Sequence, residues 1–321
     1  MRKTLVMAAA ALFACGPQAF RDQARDALPS KSTVQMGSPQ ASSQASQMKG
    51  SPNTIQQDSI AGDHSPFFDL TVSVAFTFNG GTAAMLGIIE AVTQTPPSSC
   101  TTSSCTWGPG HGPFDYNEYK LVVTKDGDSF DWELSGQSLT NPAGFIVFLS
   151  GKATPGAQAH HGSGNFTADF DKAAQLAGPH DATGKLVVNN YSNIGPATLD
   201  VTYTGAKDSQ HAGQFVNIVY LYANDSVGGG DLDFAVHNTT SGDRFSVHSR
   251  WKNDGRGRAD VAGLGSGYSV SLSECWGAAP FQVAYFSSNV KIVAPPFGGP
   301  DSGSEAQCAY APASFSNKSA P

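Results

Sequence analysis

About twelve segments of this chain alternate apolar and polar residues with a period of two, and nothing else restricts its fold as strongly. Phe166, Ala168 and Phe170 fall on one side of such a segment and Thr167 and Asp169 on the other. Leu232, Phe234 and Val236 oppose Asp231, Asp233 and Ala235 in the same way. Successive side chains of a strand point to opposite faces, so this pattern describes strands with one buried face. Lys125-Asp126-Gly127-Asp128 and Asn253-Asp254-Gly255 separate pairs of these segments and read as hairpin turns. Leu70 to Phe78 (LTVSVAFTF) also alternates and reads as a strand, whereas Thr82 to Gln94 is the one clear helix signal, with Thr82 as N-cap and Pro96-Pro97 beyond its end. With 14% charged residues, 35 glycines and 19 prolines, short strands joined by turns suit the composition. The expected fold is mainly β, an antiparallel meander of about 10–13 strands forming a barrel or half-barrel with one covering helix; a β-sandwich is the alternative. Three strands begin with glycine clusters, GSGNFTADF, GGGDLDFAV and GRGRADVAG. They read as turns or bulges rather than phosphate cradles, because no helix of a βαβ unit follows them.

The N-terminus differs in kind. Arg2 and Lys3 precede 11 apolar-rich residues, 4–14, too few to span a bilayer and suited to a signal peptide. Residues 15–64 are rich in Ser, Gln, Ala and Pro and read as a flexible tether, with a transient helix from Arg21 to Leu28 ended by Pro29. Residues 65–321 then form a single β-domain. Export permits disulfides. Of the five cysteines, Cys100 with Cys105 and Cys275 with Cys308 make the best local pairs. In the chain-entropy model the second would stabilise the fold by roughly 3–4 kcal/mol.

Cys15 is left over. Leu12-Phe13-Ala14-Cys15-Gly16 resembles the lipobox of bacterial lipoproteins. The resemblance implies cleavage before Cys15, lipid on its sulfur, and attachment to the membrane through that lipid. Gly16 rather than Asp follows the cysteine, so the outer membrane is the expected address within the cell envelope.

The net charge of −7 lacks the basic footprint that nucleic-acid binding needs. No G-x-S-x-G, H-E-x-x-H or P-loop motif occurs, so no cofactor or metal is expected and a non-enzymatic role is favoured, with an active site assembled from scattered residues left open. His160-His161 reads as part of a solvated loop. The same-face pairs Asp169/Asp171 and Asp231/Asp233 read as wet strand faces rather than a carboxylic acid pair or calcium ligands. Five of the 19 basic residues fall between Arg244 and Arg258. With Asn253-Asp254-Gly255 as the turn, Arg250, Lys252, Arg256 and Arg258 share one outer face, and Trp251, Ala259 and Val261 face inward. That face is a candidate contact for anionic headgroups or an acidic partner. The favoured reading is a solvated hairpin paired with Asp243, Asp254 and Asp260.

Ser249-Arg250-Trp251, the GRGRAD of 255–260, Glu274-Cys275-Trp276 and the late Cys308 together are similar to a set of uncharacterised predicted bacterial lipoproteins. PPSSC…CTWGP and GSGNFTADFD extend the likeness over residues 82–310. It implies location and fold, not an activity. Two functions are expected of such a domain. One is binding of an apolar or amphipathic, lipid-like ligand in a concavity lined by Val72, Val74, Phe76, Phe166, Phe170, Phe215, Val219, Phe234, Val247 and Trp251. The other is a structural or adhesive role, with an outer face presented to another envelope protein.

Overall fold

The computed structural model describes residues 17–39, 60–112, 115–208, 211–225, 227–292 and 301–321. Among the described residues, fifteen strands pair in chain order, each antiparallel to the next. The series opens with β1 (Ser99–Cys100), β2 (Ser104–Gly110), β3 (Asn117–Asp126), β4 (Ser129–Ser138) and β5 (Ile146–Pro155). It continues with β6 (Gly162–Asp169), β7 (Lys185–Ser192), β8 (Thr198–Lys207), β9 (Phe215–Asn224) and β10 (Gly230–Asn238). It ends with β11 (Arg244–Trp251), β12 (Gly257–Gly265), β13 (Tyr268–Trp276), β14 (Val283–Ile292) and β15 (Ser302–Gly303). Strands β3 to β14 are the twelve period-two segments downstream of residue 110. The Asp-Gly hairpin forms between β3 and β4, and Asn253-Asp254-Gly255 turns between β11 and β12. The structure is therefore one mainly-β meander rather than two packed sheets, and the sheet does not close on itself. Both ends are two-residue strands, too short to template pairing with another chain.

Two helices line the concave face: α1 (Pro17–Ala27) and α2 (Pro66–Thr93). Helix α2 corrects the expected strand at 70–78, because the whole of Pro66–Thr93 is helical. Ser65 caps it, accepting from the Phe68 N–H at 2.9 Å, and Pro66 occupies the first turn, where its missing N–H costs nothing. The period-two reading fails because the first part of α2 is buried nearly all round. Leu70, Thr71 and Val72 are consecutive and all buried, which a half-buried strand cannot achieve. Thr71 meets its polar needs within the helix and beside it. Its hydroxyl donates to the Phe67 carbonyl and lies 2.7 Å from the Ser249 hydroxyl on β11. At 28 residues α2 is about 42 Å long. Its length and hydropathy would suit a membrane span by composition, and its buried residues join the core. Phe67, Phe68, Leu70 and Val72 pack with Val247, Val261, Leu272 and Trp276. Further along, Phe78, Leu86 and Ile89 pack with residues of β2 to β10. One helix thus bridges the two ends of the curled sheet.

The expected tether is also corrected. Its first part is helix α1, with Phe20, Ala24, Ala27 and Leu28 buried at helical spacing against β1, β2, β3 and β5. The Phe20 ring lies 5.9 Å from that of Phe130. Beyond Pro29 the chain stays docked. Val34 and Met36 are buried, and Asn79 of α2 both donates to the Met36 carbonyl (2.9 Å) and accepts from its N–H (2.8 Å). A few apolar residues at the right spacing therefore anchor a segment whose average composition reads as disordered. The remainder of the tether, 40–59, lies outside the described residues.

The glycine clusters have a packing reason. Gly230, Trp251, Gly257 and Trp276 stand opposite one another across β10 to β13. The Trp251 ring lies against Gly230 and the Trp276 ring against Gly257. A Cβ at either glycine would fall within 2.4 Å of ring carbon. Glycine is required there so that two indoles can lie flat on the sheet.

Candidate functional site

The two cysteine pairs are joined as expected. Cys100 and Cys105 are cross-strand partners on β1 and β2, with Cα atoms 4.2 Å apart. Cys275 on β13 is bonded to Cys308, Cα to Cα 5.6 Å. The second bond fixes the start of a strap. After the short turn Glu305–Gln307, residues 308–321 cross the outer face of the sheet from β13 back to β9.

The strap and the outer face hold each other through a ladder of polar side chains. Asp233, His248, Asp260 and Ser273 stand opposite one another on β10 to β13, and Asp231, Arg250, Arg258 and Cys275 form the next row. Asp260, fully buried, is the centre. Its carboxylate accepts from Arg250 Nη2 (3.0 Å), Arg258 Nε (3.0 Å), Ser273 Oγ (2.5 Å) and the Ser314 N–H of the strap (2.9 Å). Arg258, 1% exposed, also donates to Glu305 Oε1 (2.7 Å) in the turn before the strap and to the Tyr310 carbonyl (3.0 Å) on it. Farther along, Arg244 donates to Ser319 Oγ and the Ala320 carbonyl, and His237 Nδ1 and Asn217 Nδ2 donate to the Pro321 carbonyl.

This ladder corrects the expected anionic-partner patch. Arg250, Lys252, Arg256 and Arg258 do share the outer face, with Trp251, Ala259 and Val261 inward. Arg258 and Arg250, however, are held by Asp260 beneath the strap, and the Tyr310 ring covers Arg250 at 5.3 Å. Arg256 pairs with Asp254 at 2.7 Å, and its guanidinium holds the Asp254 carboxyl below the usual carboxylate range. Lys252 and Arg256 remain exposed at the hairpin tip.

The other candidates are structural. His160 is a clamp on the N-terminal segment. Its Nδ1 donates to the Leu28 carbonyl at 3.1 Å, its N–H to the Asp26 carbonyl at 2.8 Å, and its own carbonyl accepts from Thr33 Oγ1. Asp169 caps the single-turn helix α3 (Phe170–Ala173), and Asp171 accepts from the Gly184 N–H, so the two do not act as a pair. Of the residues expected to line a concavity, Phe76 and Phe215 are exposed (65% and 41%), and Val219 faces outward beside Thr202 and Ala235. Cys15 lies outside the described residues.

Two features were not foreseen. Glu274, wholly buried on the inner face, accepts from Ser65 Oγ and the Phe67 N–H (3.2 Å) at the start of α2, where the helix dipole favours a carboxylate. His248 on β11 meets the Asp231/Asp233 pair of β10, its Nε2 3.0 Å from Asp231 Oδ1. Burial alone would lower the pKa of His248; the carboxylates and the Ser314 carbonyl outweigh it and raise it.

Compared with protein families, with curated proteins and with solved structures, the chain shows no match. The function must be argued from these residues.

Proposed function

We propose that this is a lipid-anchored protein of the bacterial outer membrane. In this reading the protein is held through lipid on Cys15, and its β-domain presents an outer surface to an envelope partner instead of carrying a lipid. One observation supports this choice above the rest: the concave face that a carrier would offer to a ligand is packed with the chain's own α1 and α2. The docked N-terminal segment adds a consequence. Cys15 precedes Pro17, the first residue of α1, by two residues, a reach of at most about 7 Å. An anchored domain would therefore sit against the bilayer and not stand clear of it. The partner surface that best fits is the tip of the β11–β12 hairpin, where Lys252 and Arg256 stay exposed in an otherwise acidic chain.

Cells fed an alkyne palmitate and then crosslinked test both parts. The wild-type chain should carry the label and one specific crosslinked partner. Cys15→Ser should lose the label. The double variant Lys252→Glu/Arg256→Glu should keep the label and lose the partner. Label retained on Cys15→Ser, or the partner retained by the charge reversal, would contradict the corresponding part.

A further inference from the structure

Asp231, Asp233 and His248 bring two carboxylates and an imidazole together on the outer face of β10 and β11. One ligand atom from each side chain lies within 4.8 Å of the other two. Asp231 and Asp233 are alternate residues of β10, so both point outward, and His248 stands directly opposite Asp233 on β11. The His248 tautomer follows from its partner. Nδ1 is 2.6 Å from the Ser314 carbonyl, which only accepts, so Nδ1 carries a proton. In the neutral ring Nε2 then bears a lone pair, and it faces Asp231 Oδ1 at 3.0 Å. Nε2 and Asp231 Oδ1 therefore face each other so that one cation, a proton or a metal ion, can be shared between them.

A proton on Nε2 would satisfy that one contact and leave Asp233 unanswered. Among the described residues, Asp233 Oδ1 is buried with no hydrogen-bond partner, a costly state for a carboxylate oxygen. Arg250 stands across from Asp231 on β11, but its Nη2 is turned to Asp260 on β12. A divalent ion would draw one ligand atom from each of the three side chains.

We propose that Asp231, Asp233 and His248 bind a divalent first-row transition ion such as Zn²⁺, with water completing its shell. The donor set selects the class. An imidazole nitrogen suits zinc and its neighbours, whereas calcium and magnesium prefer all-oxygen shells. The Ser314 carbonyl would be the outer partner that fixes the ring, as ligand histidines usually have. That carbonyl belongs to the strap, so the ion would tie β10 and β11 to it. This site is independent of the membrane anchor and of the partner surface.

The test is titration of the full chain with Zn²⁺ against a chromogenic chelator, with Ca²⁺ in parallel. The wild type should bind one tight equivalent of Zn²⁺ and no comparable Ca²⁺. Asp231→Asn and Asp233→Asn should each weaken that equivalent at least tenfold. Asp231 is 54% exposed, so its Asn variant should unfold in chelator at the wild-type temperature, which separates lost binding from lost folding. Equal Zn²⁺ affinity in wild type and Asp231→Asn, no tight equivalent in the wild type, or equal affinity for Ca²⁺ would each overturn the proposal.

Discussion

Asp260→Ala should destabilise the protein by about 3–5 kcal/mol in urea unfolding, the cost of leaving a buried charge without its counterion. Arg258, 1% exposed, would keep Glu305, but Glu305 is 40% exposed and sits in the turn that leads into the strap. Ser273, Arg250 and the Ser314 N–H would lose their acceptor together. The same substitution should free the strap, since Ser314 is held from the sheet side by Asp260 and His248. Limited proteolysis between Tyr310 and Pro321 should therefore accelerate before global unfolding. Lys252→Ala, on the same hairpin face but exposed, should change stability by no more than about 0.5 kcal/mol. A small effect at Asp260 would mean that the ladder is solvated and the strap is loosely placed.

Phe68→Ala should cost about 3–5 kcal/mol through the lost transfer energy and the cavity left behind. The Phe68 ring is stacked on Phe281 with centroids 4.1 Å apart, and it meets Trp276 edge-on at 6.0 Å. It is 1% exposed, at the end of α2 where Ser65 and Glu274 fix the helix start. Phe76→Ala should cost no more than about 0.5 kcal/mol, because that ring is 65% exposed. The contrast separates helix from strand. On a strand over 70–78, Phe76 would share the buried face of Leu70 and Val72 and its loss would be severe.

Strands β3 to β14 were legible because each buries one face, and burial of one face writes itself into the sequence as alternation. The Asp-Gly hairpins and the two disulfides were legible from local spacing. What misled was burial on more than one side. Leu70, Thr71 and Val72 are buried in succession while Phe76 is exposed, so the alternation over 70–78 does not follow the buried face, and the N-cap at Ser65 with Pro66 was the better signal. The docking of α1 was hidden by averaging. Phe20, Ala24, Ala27 and Leu28 are too few to change the composition of residues 15–64, yet they lie on one helical face. The polar ladder was half visible. Trp251 inward and Arg250 outward follow from alternation. That Arg258 and Asp260 are covered does not, because the strap that covers them comes from 50 residues later in the chain. His248 was invisible as a neighbour of Asp231 and Asp233 for the same reason: strand register, not sequence distance, sets it opposite them.

The central claim is that α1 and α2 are the packed filling of the concave face. Hydrogen exchange of the full chain, alone and with added phospholipid or fatty acid, tests it most directly. Backbone amides of α2 from Leu70 to Val92 should exchange as slowly as those of β3 to β13, and added lipid should leave them unchanged. Rapid exchange in α2, or exchange that lipid alters across the helix, would show a lid over an open cavity and contradict the account.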